Sequence, residues 1–174
     1  STARVSSDEV NLWFAEACSV NSIGRVTTAG VFTEFPIPTA NTFPEGIAAG
    51  ADGNVWFVEN QGHQVGRVTT AGVITEFPLP VPTRVFSIAA GPDGNVWFTE
   101  FDNDKVGRAA PDGTITEFLI PTADSGPYGI TAGPGGDLWF AEFHANKLAR
   151  FVIGGAPPPQ IDFEYPIPFT SVPQ

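Results

Sequence analysis

Methionine is absent from this 174-residue sequence, cysteine occurs once, at Cys18, and histidine twice, at His63 and His144. A single cysteine excludes a disulfide within the chain. Cys18 reads as a buried small hydrophobe, with a bridge between chains as the alternative. Basic residues are also scarce: eight Lys and Arg stand against nineteen Asp and Glu, for a net charge of −11. Sequence-independent nucleic-acid binding needs clustered cations to neutralise phosphates, so no nucleic acid is expected as a partner. An anionic membrane surface is disfavoured for the same reason. No apolar run approaches the roughly 20 residues of a spanning helix, so no membrane insertion is expected. The sequence starts at Ser1 without a Met. That reads as a processed N-terminus, and hence as a secreted, extracellular protein that has lost a signal peptide. An artificial boundary is the alternative. Helical periodicity is missing throughout, as are a Ser–His–Asp spacing, a zinc motif and a phosphate loop.

What is present repeats. Asp52 to Pro80 reads DGNVWFVENQGHQVGRVTTAGVITEFPLP, and Asp93 to Pro121 reads DGNVWFTEFDNDKVGRAAPDGTITEFLIP. Diverged versions begin near Asp8 and at Gly136. Trp13, Trp56, Trp97 and Trp139 mark the frame, at spacings of 43, 41 and 42 residues. A fixed period of this size means an array of one supersecondary unit. Nineteen Gly and seventeen Pro suit many turns, and four Trp and fifteen Phe can build a core. The fold class expected is therefore all-β: a β-propeller of four ~42-residue blades, each a four-stranded antiparallel meander. The blades span about 1–43, 44–84, 85–126 and 127–174 of a single domain.

The second repeat serves as template. Pro44 to Ala49 is strand a, Asn54 to Glu59 strand b, Gln64 to Thr69 strand c and Val73 to Phe77 strand d. Trp56 and Phe57 are adjacent in strand b, so they face opposite sides of the sheet. Both sides are then apolar, as a blade between two other blades requires. A two-residue loop at Ala71-Gly72 places Arg67 opposite Glu76. The same reasoning pairs Arg25 with Glu34 and Arg108 with Glu117, all as scaffold. Strand d ends in proline in most repeats, which marks it as the outer edge. The first repeat has a weak strand a around Val5, without Pro-x-Gly. The fourth inserts a Pro-rich loop, Gly154 to Pro159, so Arg150 and Glu164 stand 14 apart rather than 9. The tail from Thr170 to Gln174 reads as a linker into a further strand a.

The run GPDGNVWFTE, then VGR, ITEF and IPT with a later Pro-x-Gly-Ile, resembles the streptogramin B lyase (virginiamycin B lyase) family of propellers. In a broader way it is similar to NHL-like and lactonase-like propellers. The resemblance covers nearly the whole chain. It implies rings of about seven blades and lyases that open a depsipeptide lactone by elimination with Mg²⁺. It also implies a His in a Pro-His-Gly-Ile start of strand a, with glutamates nearby. The matching positions here hold Glu45 in Pro44-Glu45-Gly46-Ile47 and Tyr128 in Pro127-Tyr128-Gly129-Ile130. The third repeat reads Val85-Phe86-Ser87-Ile88. None carries the histidine.

In a meander, the start of strand a, the end of strand b and the b–c loop share one face. That face collects Glu45 and Tyr128 from strand a, and Glu16, Glu59, Glu100 and Glu142 from strand b. The b–c loops add His63, Asp102, Asp104 and His144. Carboxylate oxygens suit Mg²⁺ or Ca²⁺, so Glu45, Glu59, Glu100 and Glu142 are the candidate metal ligands. The competing reading has these glutamates bonding backbone groups between blades and the histidines simply solvated. Two functions follow. One is a secreted, non-enzymatic propeller acting as a binding or assembly module. The other is a metal-dependent lyase or lactonase of the streptogramin B lyase type. Four wedges of a seven-blade type span little more than half a circle. The expected partner is thus the chain itself, as a homo-oligomer or filament, with a tight four-bladed ring closed in the monomer as the alternative and any small-molecule ligand unidentified.

Overall fold

Among the described residues, sixteen strands form four separate four-stranded sheets, each antiparallel and in sequence order. The computed structural model describes residues 5–7, 10–17, 20–154 and 160–167. Cys18, most of the inserted loop and the tail from Thr170 lie outside the described residues. Blade one holds β1 (Val5–Ser7), β2 (Asn11–Glu16), β3 (Ser22–Thr27) and β4 (Phe32–Pro36). Blade two holds β5 (Pro44–Ala49), β6 (Val55–Glu59), β7 (Gln64–Val68) and β8 (Ile74–Pro78). Blade three holds β9 (Val85–Ala90), β10 (Val96–Glu100), β11 (Lys105–Ala109) and β12 (Ile115–Leu119). Blade four holds β13 (Pro127–Ala132), β14 (Leu138–Glu142), β15 (Lys147–Val152) and β16 (Gln160–Pro166). This is the propeller expected from the repeat, with strand d at each outer edge. The weak first strand a survives as the three residues of β1.

The blades stack through their faces. Trp13, Ala15 and Ile23 of blade one pack with Val55, Phe57 and Val68 of blade two. Trp56, Val58 and Val65 then pack with Val96, Phe98 and Ala109 of blade three. Trp97 and Val106 pack with Leu138, Phe140 and Phe151 of blade four. So the tryptophan side of each blade meets the phenylalanine side of the next. The inner strands touch in turn, β1 on β5, β5 on β9 and β9 on β13. Among the described residues no comparable contact joins β13 back to β1, so the four blades form an open arc.

The c–d hairpins correct the expected register. Thr69 pairs with Val73 around the three-residue loop Thr70-Ala71-Gly72, and Gly72 takes a φ of +89°. A turn closed by a left-handed glycine needs that third residue. Arg67 consequently faces Thr75, and Glu76 faces Gly66. Arg25 faces Thr33 and Arg108 faces Thr116. The one-residue slip moves Arg and Glu to opposite faces of the sheet. Arg67 lies over the rings of Trp56 and Phe77, and its Nη1 donates to the Pro111 carbonyl at 2.6 Å. Arg25 likewise covers Trp13 and Phe35 and donates to the Thr70 carbonyl at 2.8 Å. The arginine therefore ties blade one to the turn of blade two and blade two to the turn of blade three.

The Val-Gly-Arg glycine is a packing requirement. A Cβ on Gly66 would enter the ring of Phe57, which is fully buried. A Cβ on Gly24 would meet Phe14, whose ring is only half-buried and has room to move. Gly66→Ala is therefore expected to cost about 1–3 kcal/mol, the range for overpacking a filled core. Gly24→Ala should cost clearly less. Urea titrations of the two variants check this, and equal losses would show that burial of the ring does not decide the cost.

Candidate ligand-binding face

The ends of the b strands are built around their glutamates. Glu59, Glu100 and Glu142 are fully buried, while Glu16 is half-buried. Glu16 and Glu59 take side-chain bonds from the first residue of strand c in their own blades. Ser22 Oγ donates to Glu16 at 2.8 Å, and Gln64 Nε2 donates to Glu59 at 3.1 Å. Gln64 also donates to Glu76 at 3.0 Å. Burial pushes the Glu59 carboxyl up to about 7, with the Glu76 charge adding and bonds from Gln64 and Thr42 opposing. Burial also raises Glu100 to about 7, with Glu117 adding and Lys105 and Asn103 opposing. Lys105 Nζ is itself engaged by Glu117 at 2.5 Å.

Of the four proposed metal ligands, Glu45 and Glu59 belong to blade two, Glu100 to blade three and Glu142 to blade four. Glu45 is half-buried on β5 and accepts from Asn60 Nδ2 at 3.3 Å. Among the described residues no group of three or more His, Cys, Asp and Glu is placed to hold a metal ion.

The two histidines part company. His63 has a φ of +54°, and its Nδ1 lies 2.9 Å from the Thr83 carbonyl. The equivalent residue in every b–c loop does the same kind of work. Asn21 accepts from the backbone and hydroxyl of Thr42. Asp104 accepts from the backbone of Asp124 and Ser125. Asn146 donates to the Ile167 carbonyl. All four sit at positive φ, a conformation that Asn, Asp and His tolerate better than most residues. His63 is a clamp on the interblade linker. The signal was legible as an Asn/His/Asp/Asn column at one repeat position.

His144 instead joins an aromatic cluster with Tyr128. The Tyr128 ring stacks on Phe86 at 4.7 Å and leans on Phe101 and Phe143 at 6.3 and 6.1 Å. Phe101 meets Phe86 at 5.2 Å and the His144 ring at 4.9 Å, both edge-on. His144 Nδ1 sits 2.8 Å from Asp124 Oδ1. Arg84 lies over Phe101 at 4.8 Å and binds Asp102 through both Nε and Nη2. Phe143 is 67% exposed and Tyr128 38%, an unusual outlay of ring surface to water. Phe86, Phe101, Phe143 and Arg84 were missed in the sequence. In blade two the positions of Phe86 and Phe101 hold Glu45 and Asn60, so the substitution of polar by aromatic residues was the available signal. The rim is acidic at blade two and aromatic at blades three and four.

A sequence profile described as the virginiamycin B lyase family matches residues 2–170. The selenomethionine-substituted virginiamycin B lyase from Staphylococcus aureus is 42% identical with a TM-score of 0.82, covering 90% of this chain and 52% of its own. This chain thus spans about half the length of that relative. A streptogramin B lyase structure is 29% identical at a TM-score of 0.66, covering 94% and 68%. A catalytically inactive histidine-to-alanine variant of the Staphylococcus aureus lyase, solved with quinupristin, is 33% identical at a TM-score of 0.57, covering 97% and 70%. No curated protein sequence matches significantly.

Proposed function

This chain belongs to the virginiamycin B lyase family, and on that premise we propose that it binds a ring-bearing apolar compound on the rim of blades three and four without cleaving it. The observation that carries this reading is the half-exposed cluster of Phe86, Phe101, Tyr128, Phe143 and His144. Flat faces and edges of rings at 5–6 Å spacing accept another ring by stacking or edge contact, each such pair adding about 0.5–1.5 kcal/mol. The Tyr128 hydroxyl and the Arg84–Asp102 pair border that surface with polar groups that orient a ligand. Two features support binding over cleavage. The position where the family resemblance places a histidine holds Glu45, Phe86 or Tyr128. One of the buried glutamates, Glu59, already accepts from Gln64 of its own blade.

Quinupristin, the compound solved with the relative, is the probe. Calorimetric titration should give saturable binding, with the compound recovered at unchanged mass. Tyr128→Ala and Phe143→Ala should each weaken the Kd by about tenfold, equivalent to ~1.4 kcal/mol. A ring-opened product formed with Mg²⁺ and abolished by EDTA would replace this reading with that of a metal-dependent lyase. Absence of binding at millimolar compound would remove both.

A further inference from the structure

The linker that enters blade four is pinned before its first strand begins. The Asp104 carboxylate accepts from the backbone N–H groups of Asp124, Ser125 and Gly126 at 2.9, 2.8 and 3.3 Å, and from Ser125 Oγ at 2.8 Å. His144 is locked to that linker twice. Its backbone N–H donates to the Ser125 carbonyl at 3.1 Å, and its ring Nδ1 lies 2.8 Å from Asp124 Oδ1. The ring rests against Gly126, where a Cβ would come within 2.8 Å of Nδ1. Gly126 also has a φ of +55°, so space and backbone both select glycine there. The imidazole is thereby held edge-on to Phe101, at 4.9 Å.

A carboxylate only accepts hydrogen bonds, so the bond to Asp124 puts the ring proton on Nδ1. In the neutral ring the lone pair is then on Nε2. Among the described residues nothing donates to Nε2, and the side chain is 39% exposed. The same loop position in blade three is Asp102. It binds Arg84 of its own linker and is 40% exposed with blade four beside it. Exposure therefore comes with this loop position. The two pairs differ in what they leave to a ligand. Asp102 turns its acceptor oxygens to Arg84, and a guanidinium can only donate. His144 keeps an acceptor with no protein partner, next to the ring of Phe101.

We propose that the rim selects aromatic compounds that carry a hydroxyl on the ring, and that His144 Nε2 is the acceptor that reads it. This rests on the ring-binding reading of the rim and adds the polar group that the ring must bear. Phe101 touches both Tyr128 and His144, so a flat ligand seated against Phe101 and Tyr128 brings its edge to the imidazole. A hydroxyl there donates to Nε2. A ring without a donor strips water from Nε2 and returns no bond, which is the source of the discrimination. Asp124 and Gly126 act through His144 as positioning residues: one fixes the tautomer and the other leaves room for the ring.

Naphthol and its methyl ether are the matched probes, titrated into the chain and followed by naphthalene fluorescence. Naphthol should bind about three- to tenfold more tightly than the ether, the span of one net hydrogen bond. His144→Phe keeps a ring against Phe101 and has no acceptor, so the two probes should bind it alike, at the affinity of the ether. Asp124→Asn lets the linker donate to Nδ1 and the ring proton move to Nε2, so the preference should shrink. Both side chains face water, and neither change opens the core. Equal affinities for the unaltered chain would overturn the proposal and leave ring binding in place. A preference that survives in His144→Phe would overturn His144 as the acceptor. Binding of neither probe would overturn this inference together with the ring-binding reading.

Discussion

The folded chain is expected to be more stable at about pH 5 than at about pH 8, by on the order of 3–6 kcal/mol. Glu59 and Glu100 carry the effect. Both are fully buried, and burial raises each from an ordinary 4.5 to about 7. A carboxyl raised on folding binds its proton more tightly in the native state than in the unfolded chain. Its contribution is present below about pH 4.5 and is lost as the pH rises through 7. A shift of that size corresponds to about 3 kcal/mol per group. The groups around them do not reverse the sign. Glu76 and Glu117 add negative charge, while Gln64, Thr42, Asn103 and Lys105 only moderate it. At the acid end Asp52, Asp93, Asp102 and Asp104 act oppositely. Hydrogen bonds, led at Asp102 by the Arg84 guanidinium, hold these carboxyls below their usual range. Their contribution is lost only as the pH falls below about 4. Stability should therefore peak near pH 4–5, lower than is common for globular domains. Urea unfolding across this range checks it. Glu59→Gln should flatten about half of the decline. A profile level from about pH 5 to 8 would mean that neither glutamate holds its proton.

Removing a central tryptophan is expected to cost about 3–5 kcal/mol, the range for truncating a large buried ring to Ala. Trp56 is 1% exposed and Trp97 is fully buried. Each stacks on a strand-d phenylalanine, at 5.5 Å for Phe77 and 5.4 Å for Phe118. Each also donates its Nε1 proton to an aspartate in the preceding turn, Asp52 at 3.2 Å or Asp93 at 3.0 Å. That aspartate loses one of the bonds that keep it charged when the ring is gone. Trp139 is the internal control. It is half-buried, and its Nε1 has no partner among the described residues, because Gly135 stands where Asp52 and Asp93 stand. Trp139→Ala should cost about 1–2 kcal/mol, in proportion to the smaller covered area. Denaturant titration of the three variants gives the comparison. A loss below about 1 kcal/mol for Trp56→Ala would refute blade-to-blade packing as the main source of stability.

Much of this molecule follows from chemistry that acts within a few residues. Adjacent Trp56 and Phe57 can only face opposite sides of a strand, so a sheet covered on both faces was legible before any coordinates. The Pro residues after strand d forbid further pairing there, and the Trp spacing sets the blade length. Glu59, Glu100 and Tyr128 were likewise assigned to one rim by the alternation of strand directions. Other features depend on distances that the chain order does not contain. The slip of Arg67 from Glu76 to Thr75 turns on Gly72 adopting a left-handed conformation, which two- and three-residue loops place at different positions. His63 became a linker clamp because its ring meets the Thr83 carbonyl, 20 residues away in sequence. The aromatic rim exists only where strand starts and loops of two blades converge, so Phe86, Phe101 and Phe143 were individually unremarkable. The half-exposed Trp139 repeats the sequence context of Trp56 and Trp97. Only the missing neighbour across its flank distinguishes it, because burial is a property of what packs against a residue and not of the residue itself.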